Sequence, residues 1–241
     1  MSRLPVLMYH NITPNENKSL ELTLSVRKFE EQLHYLTSNN YTTLFVSELE
    51  QNITISTKSV VITFDDVTEN QLIYALPLLI KYNVKATFFI PFSFLGKSDL
   101  WNKGADATGE KIMTIEQLKS LDSKIIELGH HSFLHQKYSL LHLDEIQDDF
   151  DKSYKLIREN NLTVFPSLAY PYGSYPKNGI KKQQFFQLLE KNNIKMAFRI
   201  GNRVNRFPFK NKFEIKRIDV KGQDSLILFK VKLRLGKLRL F

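Results

Sequence analysis

The 241-residue sequence predicts an α/β fold built on a parallel sheet, open or closed into a barrel. Two observations carry this. Apolar strand-like runs alternate with helix-like segments from end to end, and no repeat, low-complexity stretch or Pro/Gly-rich linker interrupts them. Reactive side chains also follow several of those runs directly, at the C-terminal strand ends where parallel sheets carry their ligand sites. The length fits one large domain as well as two small ones, and 42% hydrophobic residues suffice for a sizeable core.

Each element has a local reason. Pro5 to Tyr9 is a short apolar run. Val26, Phe29, Leu33 and Leu36 share one helical face, with Ser25 placed to cap it. Tyr41 to Phe45 and Val60 to Phe64 read as strands. Leu72 to Ile80 reads as a helix that Pro77 kinks or delays. Lys85 to Ile90 is a Phe-rich strand, and residues 96–109 form a polar, Gly-containing loop. Thr114-Ile115-Glu116-Gln117 has the pattern of a capping box. A long helix follows over residues 144–159, then a strand over 163–170, a helix over 181–191, and strands over 195–200 and 214–220. The tail from Leu226 to Leu235 alternates apolar and basic residues. It is expected to pack as a strand or terminal helix, with a basic membrane-surface contact as the alternative.

Composition narrows the chemistry. There is no cysteine, so neither a disulfide framework nor a thiolate zinc site is available. Any metal must be held by His, Asp and Glu, which permits zinc, cobalt, nickel or manganese. Met1 to Tyr9 lacks a signal-peptide pattern, and no apolar run reaches the roughly 18 residues of a membrane span. The expectation is a cytoplasmic protein, with peripheral contact at the inner membrane face as an option. The net charge of +9 concentrates from Lys177 onward. It reads either as a solvated face or as attraction to an anionic surface such as phospholipid, lipid-linked sugar or acidic polysaccharide. No motif for nucleic acid accompanies it.

Thr63-Phe64-Asp65-Asp66 ends an apolar run with two carboxylates, which strand alternation would point in opposite directions. His131 and His135 lie four residues apart, on one helical turn or in a tight loop. Six histidines give that spacing by chance in roughly one such chain in eight, so the context matters more than the spacing. One carboxylate and two imidazoles make a three-ligand metal site with room for water, and the other carboxylate is left as a base. That is the inventory of a metal-assisted hydrolase.

In this context the chain resembles the polysaccharide deacetylases, carbohydrate esterase family 4. Thr63 to Asp66 is similar to the family's first motif, followed as usual by a helix and Val84-Lys85-Ala86-Thr87-Phe88-Phe89-Ile90. Met113-Thr114 through Gly129-His130-His131-Ser132-Phe133-Leu134-His135 is similar to the second, and Ala169-Tyr170-Pro171-Tyr172-Gly173 to the third. Val6-Leu7-Met8-Tyr9-His10-Asn11-Ile12 resembles the opening of the branch that includes poly-N-acetylglucosamine deacetylases. Together these cover roughly residues 4 to 220. The resemblance implies a distorted (β/α)7 barrel, taken as a single catalytic domain over residues 1–225; residues 226–241 are read from their own pattern as a tail packed on the domain or touching membrane. It implies one divalent metal, zinc first, on Asp66, His131 and His135, with Asp65 as general base. The Tyr172 backbone N–H would help hold the oxyanion, and Tyr170 and Trp101 would line the substrate site. Trp101 could alternatively fold back over the barrel.

Three departures follow. Much of the family begins the third motif with an arginine that pairs with the catalytic aspartate; here Tyr170 stands there, and Arg199 and Arg217 are the candidates to orient the base. No histidine follows His142, so the acid role falls to His10. Val67 also replaces the usual glycine after Asp66. Among the remaining histidines, His130 reads as a support beside the site, His34 as a surface residue and His142 as a cap. The implied activity is N-deacetylation of an acetamido sugar in a polysaccharide or lipid-linked precursor, by a monomer. A carbohydrate-binding protein with little turnover is the alternative, as is a hydrolase of another amide or ester.

Overall fold

The computed structural model describes residues 1–51, 54–99, 101 and 109–237. Seven of its strands form a closed parallel barrel: β1 (Val6–Tyr9), β2 (Ser59–Asp65), β3 (Ala86–Ile90), β4 (Ile126–His130), β5 (Ser167–Ala169), β6 (Met196–Ile200) and β7 (Ile215–Asp219). The order around it is β1-β7-β6-β5-β4-β3-β2, and β1 pairs with β2 to close the ring. The ring is uneven. β4 and β5 meet at a single register pair, His130 with Leu168.

Both faces of β2 are covered, so Val60 to Phe64 is apolar except at Thr63, whose buried hydroxyl donates to the Leu7 carbonyl. Alternate residues nonetheless serve different layers. Val61, Phe89, Ala169, Phe198 and Ile215 share the barrel interior. Leu7, Val60, Ile62 and Phe64 pack outward with Phe29 and Leu33 of helix α1 (Val26–Ser38). Gly129 is required where β4 crosses the interior, because a Cβ there would sit 2.7 Å from both Phe89 and the Ser167 hydroxyl.

Most predicted elements are present, including the Ser25 cap on α1 and both bonds of the Thr114–Gln117 capping box. Pro77 acts as expected: a widened turn over Gln71–Ala75 precedes a short helix, Leu76–Lys81. Several strands lose a residue or two at an end, and two are much shorter than predicted. In the Tyr41 to Phe45 run only Thr42–Thr43 is strand, and a helix α2 (Val46–Gln51) follows at once. The cause is a distant carboxylate: Glu127 accepts the Val46 and Ser47 backbone N–H groups and so caps that helix. The strand expected over 163–170 is reduced to Ser167–Ala169, just after Pro166, which has no N–H to donate.

The tail is a terminal helix (Leu226–Leu235), lying against α1 through Phe229 and Tyr35. Its Lys232 is buried and paired with Asp224 at 2.6 Å. Residues 238–241 of the predicted tail lie outside the described residues. So does most of the predicted 96–109 loop.

Candidate active site

Because all seven strands run parallel, their C-terminal ends share one rim. His10 follows β1, Asp65 ends β2, His131 follows β4 and Tyr170 follows β5. The predicted opposite orientation of Asp65 and Asp66 does not hold. Asp66 takes φ 72°, in the left-handed region, and this turns its carboxylate back to the same hollow. Val67, at φ 44° and fully buried, continues the turn where a glycine would be unstrained. Ser132, His135 and Tyr172 are also left-handed, at φ 66°, 52° and 58°. Such conformations cost about 1–3 kcal/mol each and persist where surrounding structure imposes them.

The two carboxylates have different partners. Asp66 Oδ1 is 3.3 Å from His135 Nε2 and 3.6 Å from His131 Nε2. One ligand atom from each of these three buried residues lies within 4.8 Å of the others. The donor set fits a divalent ion. His131 Nδ1–H donates to the Ala169 carbonyl at 2.8 Å, leaving the lone pair on Nε2, the atom that faces Asp66. Burial pushes the His131 imidazole down to about 4, against the opposing pull of Asp65, so it is neutral at pH 7, as a ligand must be.

Asp65 is instead gripped by Arg217. Nη1 and Nη2 donate to Oδ1 and Oδ2 at 2.5 and 2.7 Å, a bidentate pair inside the barrel. The guanidinium lies 5.5 Å over the Phe89 ring and is 1% exposed. Burial alone would raise the Asp65 carboxyl, but the charge of Arg217, together with the hydrogen bonds its guanidinium donates, outweighs it and holds it below the usual range. His10 Nε2 lies 3.7 Å from Asp65 Oδ2. Gln71 fixes this corner by donating to the His10 and Asp65 carbonyls at 2.9 and 2.6 Å.

Several sequence expectations need correction. Arg199 does not reach Asp65; its guanidinium donates to the Ile200 carbonyl, because alternation along β6 turns it away from the interior. Tyr170 lines no substrate site. It is fully buried between the barrel and the helices, and its hydroxyl donates to the Phe213 carbonyl at 3.0 Å. Trp101 adopts the folded-back arrangement. Its ring stacks on His135 at 3.9 Å, and its Nε1–H donates to Asp66 Oδ2 at 3.3 Å. Tyr172 is at the rim, half exposed, with its ring 4.9 Å from His135. His130 is buried between Phe92 and Tyr154, a packing role.

Several contributors were not legible in the sequence, Gln71 among them. Asp149, on helix α3 (Leu143–Glu159), accepts the Phe133 and Leu134 backbone N–H groups at 2.8 and 3.2 Å and the Tyr138 hydroxyl at 3.0 Å. Ser132 Oγ accepts the His135 N–H at 2.7 Å. Together they shape the loop that returns His135 to His131. Asp149 is one of many charges on an amphipathic helix, and only its burial sets it apart.

Residues 52–188 match the polysaccharide deacetylase family. YxkH of Bacillus subtilis (strain 168), a polysaccharide deacetylase by name, is 31% identical over 185 residues, which is 75% of this chain and 60% of that protein. The poly-beta-1,6-N-acetyl-D-glucosamine N-deacetylase of Staphylococcus aureus (strain MSSA476) is 27% identical over 202 residues, 81% of this chain and 67% of that protein. The chain thus spans only part of the length of these relatives. Among solved structures, IcaB from Ammonifex degensii shares the fold with a TM-score of 0.77 at 22% identity, covering 97% of this chain and 98% of that one.

Proposed function

The chain belongs to the polysaccharide deacetylase family, and from that premise we propose that it hydrolyses N-acetyl groups of an acetamido sugar in a polysaccharide or its lipid-linked precursor. Asp66, His131 and His135 would hold one divalent ion, zinc first among those that suit a carboxylate and two imidazoles. When bound, that ion supplies Lewis acidity toward water and toward the acetyl carbonyl.

The chain's own groups then have distinct tasks. Asp65 takes the proton of the attacking water as the water oxygen bonds to the acetyl carbon. Arg217 keeps Asp65 ionised and fixes its plane. The Tyr172 N–H would donate to the oxygen that becomes negative. His10, as imidazolium, gives a proton to the nitrogen as the C–N bond breaks, releasing acetate and a free amine. A leaving amide anion would be prohibitive without that proton.

The observation that carries this reading is the Arg217–Asp65 pair in the same hollow as the Asp66/His131/His135 cluster. The arginine absent at Tyr170 is replaced from β7, which weighs against a fold that only binds. The test is acetate release from N-acetylglucosamine oligomers, measured alongside metal content. Asp65→Asn should retain metal while losing about 10²-fold or more in rate. Asp66→Asn should lose the metal itself. If Asp65→Asn empties the site and Asp66→Asn does not, the two roles are reversed.

A further inference from the structure

A cavity of about 710 Å³ adjoins the site and shares Tyr172 with it. Two other cavities, of about 650 and 1020 Å³, share no residue with the Asp/His cluster or with Tyr172. The adjoining one is lined by Lys137, Lys177 and Lys181 and by no carboxylate among the described residues. Lys137 Nζ lies 5.1 Å over the Tyr172 ring, whose centroid is 4.9 Å from that of His135. Tyr172 therefore contacts both the cationic groove and a residue of the metal cluster. Lys181 is tethered only loosely, to the Ser139 carbonyl at 3.2 Å. Apolar surface lies beside the charge: Leu140 is 75% exposed and Tyr172 49%.

We propose that this groove is a substrate subsite selecting an acidic glycan, in which the acetamido sugar is followed by a unit bearing a phosphate or carboxylate. The inference rests on the deacetylase reading above. A sugar ring offers an apolar face for Tyr172 and Leu140. An anionic neighbour would then meet three ammonium groups on flexible stems, suited to a group of varied geometry. A neutral or amine-bearing polymer gains nothing from them, and the deacetylated product, a cationic amine, is repelled from the groove.

The test compares Lys177→Ser/Lys181→Ser with the unaltered chain on three substrates. These are a neutral N-acetylglucosamine hexamer, a hyaluronan hexasaccharide carrying carboxylates, and UDP-N-acetylglucosamine carrying phosphates. The expected result is a fall of about 5–10-fold in kcat/KM for an anionic substrate relative to the neutral one, from two partly exposed charge contacts. The fall should sit in KM and shrink as salt rises. Whichever anionic substrate responds identifies carboxylate or phosphate as the group held. An unchanged anionic-to-neutral ratio would overturn the proposal. Calorimetric titration of the same compounds decides it without turnover. Weaker binding of an anionic compound by the lysine variant supports the subsite even if no acetate is released, a result that would count only against the deacetylase reading.

Discussion

Asp65 and Asp66 are adjacent in the chain yet answer to different partners, and those partners set their chemistry. Arg217 holds Asp65 from inside the barrel, while Asp66 faces two imidazoles. The choice of Arg217 over Arg199 was open in the sequence, but alternation could have closed it. Phe198 of β6 and Ile215 of β7 belong to the interior cluster, whereas Ala197 packs outward with the helices. Arg217 therefore shares the parity of the inward residues and Arg199 does not. A pH prediction follows. Asp65 is depressed, so it remains ionised until the pH falls through its own value, below the ordinary aspartate value of about 3.9. Its stabilising contribution is likewise present above that ordinary value and lost as the pH falls through the depressed one. In Arg217→Met the opposing burial effect is left to act, so the acidic limb of the rate profile should move upward. Breaking this buried pair should also cost about 3–5 kcal/mol of stability. An acidic limb that does not move in the variant would mean that Arg217 does not tune the base.

At the scale of elements, strands such as β2 and β3 were legible because they are nearly all apolar, and α1 because its stripe and cap agree, whereas β4, Ile-Glu-Leu-Gly-His, is too polar to read as a strand and was not predicted. What escaped were elements decided by remote partners. Helix α2 starts because Glu127, on β4, accepts its first N–H groups. The 131–135 segment could have been a helical turn by spacing. It is a loop in which Ser132 takes up the His135 N–H that a helical turn would give to the His131 carbonyl, and Asp149 holds the Phe133 and Leu134 N–H groups. Trp101 was undecidable for the same reason, since its contacts are with residues far along the chain. Asp149 thus supports the Asp66/His131/His135 cluster without touching it. Asp149→Ala would leave the Phe133 and Leu134 N–H groups without their acceptor, remove one partner of the Tyr138 hydroxyl and loosen His135. Metal affinity should fall about 10–100-fold, as for other residues that orient ligands. Competition titration with a chelator checks this, and an unchanged affinity in a folded variant would remove Asp149 from any role at the site.

The whole molecule gathers the cluster from separate parts of the barrel: Asp66 after β2, and His131 and His135 after β4. Metal binding should therefore report on the fold as well as on the reaction. An ion that binds the folded chain and not the unfolded one stabilises by about 2.7 kcal/mol at a hundred times its dissociation constant. For a chain of this length that is a rise of about 5–10 °C in Tm. Adding a chelator should reverse the rise. The effect separates the two carboxylates without any substrate. Asp65→Asn weakens its bond to Arg217 and lowers the starting Tm, but the increment on adding zinc should survive, because Asp66, His131 and His135 remain. His131→Ala/His135→Ala keeps the Arg217–Asp65 pair and should lose the increment. Equal increments in both variants would place the ion elsewhere. No increment in the unaltered chain would mean that the rim binds no such ion, and the hydrolysis proposed for it would fail at its first requirement.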